Sequence, residues 1–171
     1  MMFQRSTVPL QQELIDICNS TFDTHVGMEG MTGHGLQTEF RKTECRYIQR
    51  AKRLGAPQPR GIVLMEEWIN DNGYPDYTPE ILQIARYHVG NFYKWHFDGA
   101  GRGYRKLSMS CLLNDPSEFD GGEFQARALG QATTIELDKD YPLLFVPDLE
   151  HQVLPVMRGV RDSLVVWFLE K

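Results

Sequence analysis

Arg161-Asp162-Ser163-Leu164-Val165-Val166-Trp167-Phe168-Leu169 reads as a β-strand with no wet side. Strand side chains alternate, so Leu164, Val166 and Phe168 share one face, and Arg161, Ser163, Val165 and Trp167 share the other. A strand apolar on both sides is covered on both sides. An arginine on it is expensive to bury unless it meets an acid. That acid is either a carboxylate of the chain, with Asp162 and Glu150 the nearest candidates, or an anionic ligand. A guanidinium grips a carboxylate with two parallel hydrogen bonds, and Ser163 can add a third.

Working back from this strand, the chain from about residue 81 is a run of short strands. They are predicted near 81–89, 92–97, 105–113, 122–127, 133–137, 143–146, 151–156 and 163–169. Turn residues separate most of them: Gly99 to Gly103, Asn114-Asp115-Pro116, Gly121-Gly122, Pro147-Asp148 and Arg158-Gly159. Such spacing predicts a sandwich or jelly roll. The first part of the chain has another texture. Leu10, Leu14, Ile17 and Cys18 predict an amphipathic helix over 8–22. A second helix is predicted over 43–54, and the apolar-rich 62–70 fits either a helix or a strand. The expected organisation is one domain over 1–171, with a helical N-terminal part to about 78 and a β core from about 79.

The 171 residues suffice for an ordinary core, and 42% hydrophobic with 24% charged residues is the composition of a globular chain. Three cysteines cannot make a paired disulfide framework, and none lies in a C-x-x-C. No apolar run approaches the length of a membrane span, and Met1 to Ser6 does not look like a signal peptide. A soluble, cytoplasmic protein is expected. The net charge of −5 argues against a nucleic-acid partner. The basic stretch 41–60, with Arg41, Lys42, Arg46, Arg50, Lys52, Arg53 and Arg60, keeps that alternative open. No P-loop, G-x-G-x-x-G or Ser-His-Asp order is present.

The chemistry is carried by His96-Phe97-Asp98. His96 and Asp98 share a strand face, and one imidazole beside one carboxylate is two thirds of a facial triad for non-haem Fe(II). With 5 histidines in the chain, chance gives about 0.3 such triplets, so alone the signal is weak. His151, opening a later strand, is the candidate third ligand, and Arg161 follows it by ten residues.

From Tyr87 to Phe168 the chain resembles the 2-oxoglutarate- and Fe(II)-dependent dioxygenases of the prolyl 4-hydroxylase-like branch, most closely their bacterial and phage peptidyl-hydroxylase-like members. The motifs that carry this are Arg86-Tyr87 with Gly90, Tyr93 three residues before His96, and His96-x-Asp98. Arg105-Lys106-Leu107-Ser108 and Gly121-Gly122-Glu123-Phe124 follow. Then come His151-x-Val153, and Gly159-Val160-Arg161-x-Ser163-Leu164-Val165-x-Trp167. The resemblance implies an α+β, mainly β fold, a double-stranded β-helix or jelly roll with N-terminal buttressing helices. It implies Fe(II) on His96, Asp98 and His151. It implies 2-oxoglutarate held by Arg161 and Ser163, with the Tyr87 hydroxyl in reach, and O2 as the second co-substrate. Ascorbate is a further candidate cofactor. Oxidative decarboxylation would give succinate, CO2 and a hydroxylated substrate, most readily a prolyl residue of a peptide or protein. Oxidation of a small molecule or nucleobase, or a non-catalytic binding module, are the alternatives. Tyr93, Trp167 and Arg102 are the substrate-side candidates, with segments 55–61, 71–77 and 99–104 around the entrance. One departure is Leu112, where some animal relatives carry a co-substrate-contacting tyrosine. His25, His34 and His88 are expected to be structural or exposed, and Cys111 a small core hydrophobe.

Overall fold

The computed structural model describes residues 2–30, 38–53, 55–99 and 103–171. Its larger sheet has seven strands, in the order β1 (Phe3–Arg5), β11 (Leu143–Phe145), β7 (Arg105–Leu112), β14 (Arg161–Glu170), β5 (Tyr77–Tyr87), β4 (Glu44–Gln49) and β2 (Met28–Glu29). The smaller has five: β10 (Gln131–Ile135), β9 (Phe124–Ala128), β12 (Glu150–Val153), β6 (Phe92–His96) and β3 (Arg41–Lys42). A short ribbon pairs β13 (Val156–Arg158) with β8 (Asp120–Gly121). Helices α1 (Gln12–Thr24) and α2 (Arg60–Asp71) complete a mainly β jelly roll.

The alternation of β14 divides the core in two. Leu164, Val166 and Phe168 join Leu82 and Ile84 of β5 and Met109 of β7 beneath the helices, which supply Leu14, Cys18, Ile62, Met65 and Trp68. On the other face, Ala85, Tyr87 and Phe145 of the large sheet meet Phe124, Ala126 and Val153 of the small one. The functional side chains of β14 therefore open between the two sheets, while the helices brace its back.

Helix α2 forms where the sequence allowed either type. Ile62, Met65, Trp68 and Ile69 recur on one face and are fully buried. Its end is set by Gly73, at φ 91°. The Tyr74 amide donates to the Ile69 carbonyl and the Gly73 amide to that of Asn70, which closes the last turn in a Schellman pattern. Arg60 clasps Glu13 of α1 with two hydrogen bonds of 2.9 and 2.8 Å.

The helix predicted over 43–54 is instead strand β4, hydrogen-bonded along β5 from Glu44 to Gln49. Both its faces are covered, so Cys45 and Arg46, which point to opposite faces, are both buried. Cys45 points between the sheets, and Arg46 points toward the helices. Arg46 is only 8% exposed, paired with Glu44 at 2.7 Å and lying over Phe22 at 4.7 Å. The N-terminal part is thus not wholly helical, because β1 to β4 add strands to both sheets. The basic stretch makes no continuous cationic face. Arg41 is 3% exposed, Arg50 meets Glu66 and Arg60 meets Glu13. Cys111 is buried as expected. His88 is exposed beside Glu44, and His25 caps the end of α1, whereas His34 lies outside the described residues. No helix of the described residues is long and apolar enough to cross a membrane.

Candidate metal centre

Register brings the two histidines together. His96, at the end of β6, is the direct partner of His151 on β12. Their ring centroids are 4.1 Å apart and the planes are tilted by 56°. Asp98 follows where β6 ends, and its Oδ1 lies 3.8 Å from Nε2 of each histidine. One donor atom from each of the three falls within 4.8 Å of the others, a spacing that can hold one metal ion.

Each imidazole is fixed from behind. His96 Nδ1 lies 2.8 Å from the Lys94 carbonyl, and His151 Nδ1 lies 2.8 Å from the Leu149 carbonyl. A carbonyl only accepts, so each Nδ1 carries the proton and each Nε2 keeps its lone pair on the Asp98 side. Burial, helped by neighbouring His151, pushes the His96 pKa down to about 3, so the ring is neutral at ordinary pH. Burial opposes the charge on Asp98. His151 and His96, with Ser108 and Trp167 nearby, outweigh it and hold the carboxyl below its usual range. Asp98 Oδ2, Ser108 Oγ and Trp167 Nε1 are nevertheless buried without a completed hydrogen bond. A buried carboxylate oxygen left without a partner is costly. A divalent cation beside it would remove that cost. Two imidazoles and one carboxylate are the donor set suited to Fe(II).

The other end of the same cleft is cationic. Arg161 is 2% exposed; its Nη1 donates to Ser163 Oγ at 3.1 Å, and its Nε has no partner. The two acids that the sequence offered it are taken. Asp162 receives both arms of Arg86, at 2.9 and 2.7 Å, and Glu150 pairs with Arg127 at 3.2 Å. Among the described residues no carboxylate forms an ion pair with Arg161. Tyr87 stands across the ladder from it, with the guanidinium 5.2 Å from the ring centre.

Between the two ends lies a cleft lined by residues of both sheets. Tyr93 stacks on His96 with centroids 3.5 Å apart and also carries Arg41 at 4.5 Å. Trp167 lines the cleft beneath the Arg105 guanidinium, at 3.8 Å. Arg105 also donates to Glu80 at 2.7 Å and to the Asp98 carbonyl at 3.1 Å, tying the metal loop to β5. Leu112 pairs with Ser163 and is buried. Arg102 lies outside the described residues. The expected entrance segments 55–61 and 71–77 are elsewhere. Gly61 faces Ile17, Ile48 and Leu82, and Tyr74 and Tyr77 pack on the helix-side core. They follow or precede α2, which is bound to the back of the large sheet.

The sequence reading missed Gln83, Ser110, Phe124 and Phe145 as further lining residues. One signal for Ser110 was available. Ser108 and Ser110 alternate with Leu107, Met109 and Cys111, as expected for a strand with one polar-lined inner face.

The sequence profile of the family described as the 2OG-Fe(II) oxygenase superfamily matches residues 82–169. A PKHD-type hydroxylase of Maricaulis maris is 36% identical over 88 residues, 50% of this chain and 40% of the relative. The match thus spans about two fifths of that relative's length. Among solved structures, a Trichoplax adhaerens prolyl hydroxylase in complex with a hypoxia inducible factor peptide fragment superposes with a TM-score of 0.75. It has 16% identity and covers 98% of this chain and 83% of that one. A Pseudomonas putida prolyl-4-hydroxylase gives 0.69 at 21% identity, covering 98% and 92%. At these identities the structural likeness speaks for the jelly roll.

Proposed function

The chain belongs to the 2OG-Fe(II) oxygenase superfamily, and from that premise we propose that it hydroxylates a prolyl residue of a peptide or protein. The observation that carries this reading is the pairing, in one cleft, of the His96–Asp98–His151 cluster with buried Arg161, which forms no ion pair with a carboxylate of the described residues. Bound together, Fe(II), 2-oxoglutarate and O2 supply the chemistry: the keto acid loses CO2 to become succinate, and one oxygen atom enters a substrate C–H bond.

The chain's own residues do the rest. His96 and His151 present Nε2 and Asp98 a carboxylate oxygen, so these three residues would hold the metal. Arg161, steadied by Ser163, binds the carboxylate of 2-oxoglutarate that is remote from the metal. The hydroxyl of Tyr87, buried across the ladder from it, is the candidate second donor to the same group. Burial raises the Tyr87 pKa, so that hydroxyl stays a proton donor. Tyr93, Phe124, Phe145 and Trp167 wall the cleft. No residue of the cluster has to move a proton for this reaction.

A peptide substrate is supported by the aromatic, partly open wall at Tyr93 and Trp167, which suits a neutral ring, and by the hydroxylases similar to this chain. Nucleic acid is the weaker reading, since Arg41 and Arg46 are buried and Arg50 and Arg60 pair with Glu66 and Glu13. A cytoplasmic location is supported by the bacterial relative and by three free cysteines, which suit a reducing compartment. The test is incubation with Fe(II), 2-oxoglutarate and a pool of proline-containing peptides. A peptide that gains one oxygen on proline, matched by succinate, is the expected result. Succinate with every peptide unmodified would move the search to another substrate class.

A further inference from the structure

We infer that Gly122 is a positioning residue for co-substrate binding, because the side chain it lacks leaves the space that Arg161 occupies. The inference rests on the reading of Arg161 as the 2-oxoglutarate anchor.

Gly122 ends the Gly121-Gly122 turn at φ 68°, and its amide donates to the Pro155 carbonyl at 3.1 Å. A Cβ placed there would stand 2.7 Å from Arg161 Cδ, 3.1 Å from Val156 Cγ2 and 3.5 Å from Arg161 Nε. The first distance is shorter than real Cβ contacts allow, so something must move. A flexible, solvated side chain would simply swing away. Arg161 is fully buried, its Nη1 is held by Ser163, and Tyr87 closes the space beyond its guanidinium. Its Nε makes no hydrogen bond. The stem of the anchor is therefore placed by the walls around it rather than by hydrogen bonds of its own, and Gly122 is one of those walls.

The chain holds a matched control. Gly130 also has a positive φ, of 81°, but a Cβ there would meet nothing within 4 Å. Alanine at either position strains the backbone in the same way. Only alanine at 122 also pushes on Arg161.

The experiment uses the full chain loaded with Mn(II) under argon, with 2-oxoglutarate titrated by calorimetry, and reads the thermal midpoint of the metal-free protein. Gly130→Ala is expected to bind 2-oxoglutarate as the wild type does. Gly122→Ala is expected to bind it at least ~10-fold more weakly, with Mn(II) affinity within ~2-fold of wild type. In an Arg161→Ala background the thermal penalty of Gly122→Ala should shrink toward that of Gly130→Ala, since the nearest clash partner is gone and only Val156 remains close. If Gly122→Ala alone does not fold, the double variant should. Equal 2-oxoglutarate affinity in Gly122→Ala and Gly130→Ala would overturn the inference. So would a thermal penalty unchanged by removing Arg161, or a double variant that still fails to fold. Arg161→Ala binding 2-oxoglutarate like the wild type would instead show that the anchor itself is misassigned.

Discussion

Arg161 and Tyr87 face each other across the β14–β5 ladder, with the guanidinium 5.2 Å from the tyrosine ring centre. Both are buried, and neither has a carboxylate partner among the described residues. A cation in that position costs the empty protein stability that a bound anion restores. The arrangement favours ligand binding over resting stability.

Removing the cation should therefore help the metal-free, ligand-free protein. Arg161→Met is expected to leave stability unchanged or raise it by about 1–4 kcal/mol, as when buried charges give way to apolar groups. Wild type loaded with Mn(II) should gain thermal stability from added 2-oxoglutarate, and the variant should gain none. Urea unfolding and thermal melts check both halves. A loss of several kcal/mol in the empty variant would mean that Arg161 serves the fold.

Asp98→Asn should remove the charge at the centre of the cluster while keeping its shape. Mn(II) affinity is expected to fall by about 100-fold or more, since even outer-sphere partners of metal ligands are worth about 10- to 100-fold. Metal titration with the full chain decides it. Affinity within a factor of about two of wild type would exclude Asp98 as a ligand.

The depressed His96 has a consequence for acid stability. Its folded pKa of about 3 lies below the ordinary 6.5, so between these values the unfolded chain takes up a proton that the folded chain does not. Unfolding is then favoured as pH falls through that window, and the stabilisation is full only above it. Asp98, also held low, adds a loss of the same sign as the pH falls through its folded pKa. The urea midpoint of the metal-free protein should drop from about pH 7 to about pH 4, and His96→Gln should flatten the slope. An identical slope in the variant would contradict the assignment.

The helix layer has its own test. Trp68 is fully buried, and its indole donates to the Val8 carbonyl at 3.0 Å. Trp68→Ala should cost about 3–5 kcal/mol in urea unfolding. A cost below about 1 kcal/mol would mean that the helices brace the sheet less than their packing implies.

Strand β14 and the shared face of His96 and Asp98 were legible in the sequence because each depends on local alternation. Arg161 and Ser163 share a face whatever lies beside them. His151 entered through the family resemblance, since its meeting with His96 depends on the register of β6 against β12, which local pattern leaves open. Strand β4 was misread for a related reason. Arg46 looks like a solvated position until Phe22 and Glu44 are brought to it by the fold. Gln83 and Phe145 reach the cleft only through long-range pairing, and the role of Gly122 emerges only once Arg161 lies against it.

The most direct test of the central claim is succinate formed from 2-oxoglutarate by the full chain with Fe(II) in air, compared with His96→Ala. The account requires succinate with the wild type, dependent on added Fe(II), and none above background with the variant. Equal succinate from both proteins, or none from the wild type loaded with Fe(II) and 2-oxoglutarate across a broad peptide pool, would contradict it.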